Sequence, residues 1–194
     1  MGRKAFYFDM TACIGCKTCQ MACKDKMEQD YEPGVFYRHV DTYETGKYPN
    51  VGRYNLSFGC NHCENPACVA SCPTGAMYKS EDGTVQHDDS VCIGCETCVE
   101  SCPYKAPHLI ASLGIVHKCD ACRDRTEKGE NPMCVDACVM RALDFGEYDD
   151  LTAKYGDDLV SDLSVLPDSS MTTPNLLIKA REIAVSEDAK QMMV

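Results

Sequence analysis

Cys92-Ile93-Gly94-Cys95-Glu96-Thr97-Cys98-Val99-Glu100-Ser101-Cys102-Pro103 spaces four thiols by two, two and three residues and closes on a proline. Three more groups share its logic. Cys13, Cys16, Cys19 and Cys23 form the first, Cys60, Cys63, Cys68 and Cys72 the second, and Cys119, Cys122, Cys134 and Cys138 the last. With Cys92, Cys95, Cys98 and Cys102 as group III, these account for all sixteen cysteines. Three residues always separate the third and fourth cysteine. The gap between second and third is two, four, two and then eleven residues. An internal repeat is therefore the organisation of the chain.

The rest of the composition makes those thiols decisive. Only 35 of the 194 residues are Leu, Ile, Val or Phe, and Trp is absent. That is below the level at which a charged chain usually folds by burial alone: either the chain is largely disordered or something else holds it together, and sixteen cysteines supply the second answer through metal or disulfide crosslinks. The net charge of −11 and a pI near 4.8 exclude nucleic acid as a natural partner. No apolar run approaches the length of a spanning helix. The start, Met1-Gly2-Arg3-Lys4, shows neither a signal-peptide core nor a twin arginine. A soluble chain without a signal of its own is expected.

Three chemistries compete for the thiols. Disulfides suit small secreted scaffolds, but this chain is longer than those and C-x2-C-x2-C crowds three sulfurs into one loop. Structural zinc favours two separated C-x2-C pairs, a description that group IV alone satisfies. Iron–sulfur cubanes fit every group, since each iron takes one thiolate and a short loop can wrap three corners. Gly15 and Gly94 suit a backbone that must come close to inorganic sulfur. The fourth cysteine is expected at the start of a following helix, reaching a neighbouring cluster as in two-cluster ferredoxins. Pro73 and Pro103 complete that pattern in groups II and III; Lys24 and Val139 stand at the equivalent places in groups I and IV.

Between groups II and III, Ala76–Lys79 and Thr84–His87 read as strands around the turn Ser80-Glu81-Asp82-Gly83. Ala5–Phe8 before group I and Ala142–Phe145 after group IV read as outer strands of a second unit split across the sequence. The stretch 24–59, with its β-rich Val35–Tyr43, reads as an insertion. From Glu147 onward ten acidic and four basic residues accompany Pro167 and Pro174. This tail is either a disordered end or an arm that orders on a partner through Leu159-Val160, Val165-Leu166 and Leu176-Leu177-Ile178.

CIGCKTCQMACKD, CNHCENPACVASCPTGAM, CIGCETCVESCPY and the CDACRDR to RALDFG ending resemble the four-cluster electron-transfer (beta) subunits of molybdopterin oxidoreductases, above all those of the dimethyl sulfoxide reductase type. The resemblance runs from about Lys4 to Gly146 and includes Thr173–Lys179. It implies an α+β fold of two ferredoxin-like [4Fe–4S] dicluster units in tandem. One unit combines 1–30 with 105–146, the other spans 52–104, 31–51 is the insertion and 147–194 a C-terminal partner-binding arm. It implies four [4Fe–4S] clusters: cluster 1 on Cys13, Cys16, Cys19 and Cys138; cluster 2 on Cys119, Cys122, Cys134 and Cys23; cluster 3 on Cys60, Cys63, Cys68 and Cys102; cluster 4 on Cys92, Cys95, Cys98 and Cys72. Cys95 stands where some relatives lack a cysteine, so a full cubane is expected.

By the same resemblance the protein is a non-catalytic subunit that relays single electrons to or from a large molybdenum or tungsten molybdopterin subunit. A membrane anchor exchanging electrons with quinol is a usual companion, and the complex is either exported with its catalytic partner or cytoplasmic. The alternatives are the equivalent subunit of a formate dehydrogenase, hydrogenase or other reductase, a free-standing polyferredoxin, and a structural zinc protein. His62 reads as packing or hydrogen bonding beside a cluster. Lys118, Arg123, Arg125 and Arg141 read either as charges tuning a cluster or as exposed basic residues. No nucleophile–base pair, phosphate loop or nicotinamide fingerprint is present.

Overall fold

The computed structural model describes residues 2–27, 33–185 and 188–192. It is a mixed α/β structure of short elements. Strand β1 (Lys4–Asp9) leads to helix α1 (Thr18–Lys26), then to β2 (Arg38–Lys47) and β3 (Asn50–Gly59). Helix α2 (Ala67–Ala70) precedes β4 (Met77–Lys79) and β5 (Val85–His87). Helix α3 (Thr97–Ser101) precedes β6 (His108–Ile110) and β7 (Ile115–His117). Helices α4 (Arg123–Thr126) and α5 (Met133–Asp136) lie within the span of group IV, followed by β8 (Leu143–Glu147), α6 (Tyr148–Tyr155), β9 (Leu176–Lys179) and β10 (Lys190–Met192).

Residues Ala5 to Phe8 of β1 are all buried, so this strand is covered on both faces. It pairs antiparallel with β8 and parallel with β9. Successive side chains point to opposite faces. Phe6 and Phe8 thus join the main core with Leu143, Leu176 and Ile178, while Ala5 and Tyr7 pack with Leu177 under Leu151 of α6. The Tyr7 and Tyr155 rings stack at 3.6 Å. The expected strands before group I and after group IV are therefore direct neighbours in one sheet.

The hairpin of β2 and β3 lies beside that sheet, with β10 on its outer edge. It runs from Arg38 to Gly59 as one piece, with register Tyr43 opposite Tyr54. The expected boundary between residues 51 and 52 falls inside β3, so the hairpin is undivided and buries Val40, Tyr54 and Leu56 in the main core. Residues 31 and 32 of the expected insertion lie outside the described residues.

The tail differs most from expectation. Leu176, Leu177 and Ile178, read as partner-binding, are buried in the protein's own sheet. Val160 exchanges backbone hydrogen bonds of 2.9 and 2.8 Å with Ile178. The physical reason is that β1 has an open edge and an apolar face, and β9 with α6 covers both. Just before β9, Thr172 and Thr173 accept backbone hydrogen bonds from Asn65 and Glu64. Asn175 is fully buried; its side-chain amide donates to the His62 carbonyl at 2.7 Å and its backbone N–H to the Asn61 carbonyl at 3.0 Å. The tail thereby braces the group II loop.

One turn recurs in all four cysteine groups. The residue before the second cysteine is left-handed each time: Gly15 at φ +70°, His62 at +42°, Gly94 at +64° and Ala121 at +59°. The helices α1, α2, α3 and α5 each begin one residue before the third cysteine. The fourth cysteine is four residues on: Cys23 lies inside α1, Cys102 caps α3, and Cys72 and Cys138 lie just past α2 and α5, so none stands at the start of a later helix. Within α1, Cys19 and Cys23 sit one turn apart, about 6 Å along the axis.

Truncation after Gly146 removes β9, α6 and the brace on group II. The truncated protein is expected to fail to accumulate in folded form; recovery equal to that of the full-length protein, with an unchanged circular dichroism spectrum, contradicts this account of the tail. The glycine turns predict unequal effects. A side chain at either position costs about 1–2 kcal/mol for the left-handed backbone. At Gly94 the new Cβ also falls 2.2 Å from the Gly114 carbonyl oxygen, which is backbone, whereas at Gly15 it meets the Asn55 side chain, which can swing away. Gly94→Ala should lower the thermal unfolding midpoint clearly more than Gly15→Ala; equal shifts would show that the loop yields at both sites.

Candidate iron–sulfur centres

The shared turn has a chemical consequence. A left-handed residue between the first two cysteines reverses the backbone, so that N–H groups and thiols converge on the same side. All sixteen thiols are free, with no disulfide between them. They gather in sets drawn from more than one group.

One cavity is lined by Cys13, Cys16 and Cys19 together with Cys138, and walled by Phe8, Ile14, Val40, Ala142 and Leu143. A second is lined by Cys60, Cys63 and Cys68 together with Cys102, and walled by Pro66, Val85, Pro103, Tyr104 and Lys118. A third is lined by Cys92, Cys95 and Cys98 together with Cys72, and walled by Pro73, Met77 and Val116. In each case three thiols come from one group and the fourth from the segment directly after another group's short helix. The packing of α1 against α5 and of α2 against α3 brings those helices side by side. The remaining thiols, Cys23, Cys119, Cys122 and Cys134, act on one another electrostatically. Burial, then Cys134, pushes Cys23 up to about 12, and burial, then Cys23, drives Cys119 well above the usual thiol range.

Burial dominates elsewhere too. It pushes Cys63 and Cys68 up to about 12 and Cys98 and Cys122 up to about 11. A ligand must be a thiolate, so these chambers resist the ligating form until a cation meets it. The outer thiols behave oppositely. Hydrogen bonds from Thr18 and Thr97 lower Cys16 and Cys95, the two exposed cysteines.

Backbone donors surround the sulfurs. The N–H groups of Ala142, Ala121, Met77 and Met133 donate to Cys138, Cys119, Cys72 and Cys122 at 3.2, 3.4, 3.5 and 3.5 Å. Ser57 Oγ lies 3.5 Å from Cys19 Sγ. Soft sulfur donors in sets of four, apolar walls and N–H groups aimed at sulfur fit iron–sulfur clusters. These residues would hold such groups, which supply one-electron redox chemistry when bound.

The basic residues separate cleanly. Lys118 is buried beside the second cavity, its ammonium donating to the carbonyls of Val85 and Cys119. Arg123, Arg125 and Arg141 are surface residues held by Glu127, Asp136 and the Asp136 carbonyl. His62 is buried; its Nδ1 accepts from the Val85 N–H at 3.0 Å, the packing role expected of it. Sequence reasoning missed Arg38 and Ser57. Arg38 is buried, its guanidinium 3.3 Å from Ser57 Oγ and over the Phe6 ring. Only the tertiary pairing of β2 with β3 reveals this, and no local pattern around Tyr37-Arg38-His39 signals it.

Comparison with known proteins agrees with this chemistry. The 4Fe-4S dicluster domain matches residues 53–148, and a 4Fe-4S binding domain matches residues 10–31. The sequence is 46% identical over 182 residues to one of the chains of anaerobic dimethyl sulfoxide reductase from Escherichia coli K12, covering 90% of this protein and 87% of that one. It is 42% identical over 193 residues to the namesake of that relative in Haemophilus influenzae, covering 95% and 92%. The electron transfer subunit of thiosulfate reductase from Salmonella typhi is 39% identical over 145 residues, covering 73% of this protein and 74% of that one. Cysteine sets, left-handed loops and relatedness over nearly the whole length converge: this protein belongs to the 4Fe-4S family of iron–sulfur electron-transfer subunits found in anaerobic dimethyl sulfoxide reductase and thiosulfate reductase.

Proposed function

We propose that the protein carries four [4Fe–4S] clusters and relays single electrons to or from a molybdopterin catalytic subunit of the dimethyl sulfoxide reductase type. Cluster 1 is assigned to Cys13, Cys16, Cys19 and Cys138, and cluster 2 to Cys119, Cys122, Cys134 and Cys23. Cluster 3 is assigned to Cys60, Cys63, Cys68 and Cys102, and cluster 4 to Cys92, Cys95, Cys98 and Cys72. The observation that carries this reading is the lining of three cavities by three thiols of one group and the fourth thiol of another. The mutual influence of Cys23, Cys119, Cys122 and Cys134 supports the fourth set.

The protein's own part is to hold charge and exclude water. Apolar walls strengthen every electrostatic interaction inside. N–H groups donating to sulfur, together with Lys118 and Arg38, favour added negative charge. No acid, base or nucleophile is needed for this task, so the substrate reaction is assigned to the partner subunit. The named relatives are single components of dimethyl sulfoxide reductase and thiosulfate reductase, one of them designated an electron transfer subunit, which supports a separate catalytic partner here. Among the described residues no helix is long and apolar enough to cross a membrane. A peripheral position in a membrane-associated complex, attached through an anchor subunit, fits that.

Anaerobically purified protein, within its complex or alone, is expected to contain about sixteen iron and sixteen acid-labile sulfide atoms contributed by this subunit; zinc in place of iron would overturn the reading. The exchange of fourth cysteines has its own test. Cys138→Ser should alter the electron paramagnetic resonance signal of the cluster assigned to group I and leave that of the other group IV cysteines. A change confined to the latter would mean that Cys134 and Cys138 serve one cluster.

A further inference from the structure

Arg38 is a buried cation with no carboxylate partner among the described residues. Its residue is 4% exposed, and the ion pairs among the described residues do not include it. Its contacts are neutral: Ser57 Oγ at 3.3 Å and the face of Phe6 at 4.7 Å. An isolated buried charge costs several kcal/mol and persists only when an opposite charge answers it. The groups within its influence that become anions on ligation are thiols. Desolvation works against its charged form, and Cys134, Cys19, Cys119 and Cys23, in that order, outweigh it and raise its pKa. These belong to two cysteine sets: Cys19 to the first, and Cys23, Cys119 and Cys134 to the second. Arg38 also contacts the first set through a short relay, since the Ser57 hydroxyl that it bonds lies 3.5 Å from Cys19 Sγ.

The strand geometry fixes this position. Arg38 opens β2 and pairs in register with Gly59, one residue before Cys60, while Ser57 lies two residues along β3. Phe6 holds the guanidinium from the β1 side. A lysine would carry the same charge but not the planar fork that spans Ser57 and stacks on Phe6.

We propose that Arg38 is the shared counter-charge of clusters 1 and 2, holding both reduction potentials up and joining them electrostatically. The proposal rests on the cluster assignment above. Adding an electron makes a cluster more negative, and a fixed cation in a low-dielectric wall favours that state. Because the same cation bonds toward the first set through Ser57 and acts on the second electrostatically, its loss lowers both potentials together. The sulfurs of clusters 3 and 4 are not among the thiols that act most strongly on Arg38, so their potentials change less.

The test uses the intact anaerobic complex with Arg38→Gln and Arg38→Lys, read by iron analysis and by redox titration followed with electron paramagnetic resonance. Arg38→Gln is expected to weaken one-electron reduction of two clusters at least tenfold, equivalent to about 59 mV lower potential. The other two should change less than threefold, and Arg38→Lys should recover most of the loss. Full iron content with all four potentials unmoved in the glutamine variant overturns the proposal and leaves Arg38 a packing residue. If the glutamine variant fails to load iron, the lysine variant decides. Normal loading there supports a requirement for charge, and failure of both means that shape and not charge is needed. Wild-type protein without iron would instead overturn the cluster assignment.

Discussion

A thiol buried in an apolar chamber resists ionisation, and four such thiols in one chamber resist it more strongly. The rest of the structure answers this constraint. Cys23, Cys63 and Cys68 are all driven up to about 12 by burial, so the ligating form requires metal, N–H donors or fixed cations nearby. The backbone donors to Cys72, Cys119, Cys122 and Cys138 are part of that answer. Metal binding and folding are then one process, which explains how a sequence so poor in aliphatic residues supports several small cores. The cysteines themselves are core residues: Cys19 and Cys134 pack in the main cluster, Cys68 and Cys98 in the second.

The four loops meet the constraint by one backbone device in different residues. Groups I and III use glycine before the second cysteine. Groups II and IV use His62 and Ala121 in the same left-handed turn, at a cost of about 1–2 kcal/mol each. At His62 the surroundings offset that strain. Its ring accepts the Val85 N–H, its carbonyl receives the Asn175 amide, and the residue is fully enclosed. The loop variation therefore traces to tertiary support: where neighbours hold the turn, glycine is dispensable.

This is also where sequence reading succeeded and where it stopped. Cysteine spacing exposed the repeat and the chemistry, and the strand-like Ala5–Phe8 and Ala142–Phe145 exposed the strands flanking groups I and IV, because those signals are local. Glycine in Ile-Gly-Cys pointed to the turn, but the same turn at His62 and Ala121 has no composition signature. The burial of Lys118 depends on Val85, a residue 33 positions away, and that of Arg38 on Ser57, Phe6 and the β2–β3 register. A charge beside cysteines reads as solvated or buried with equal ease until the pairing of distant strands is known.

The tail shows the same limit from the opposite side. Short apolar bursts separated by prolines look too sparse for a core, and by themselves they are. What the sequence conceals is that β1, at the other end of the protein from Leu176, has one free edge and one uncovered apolar face. Thr173, left-handed at φ +50°, turns the backbone just ahead of Pro174 and β9, and the alternation of the strand then sets Leu176 and Ile178 on the main core and Leu177 on the α6 side. Antiparallel β8 and parallel β9 flank β1, and α6 crosses the face between them. Closure of that sheet also sets Asn175 against Asn61 and His62. The strain at His62 is thus held by residues that the ribosome adds late, and the group II loop owes its shape to a segment without a single cysteine.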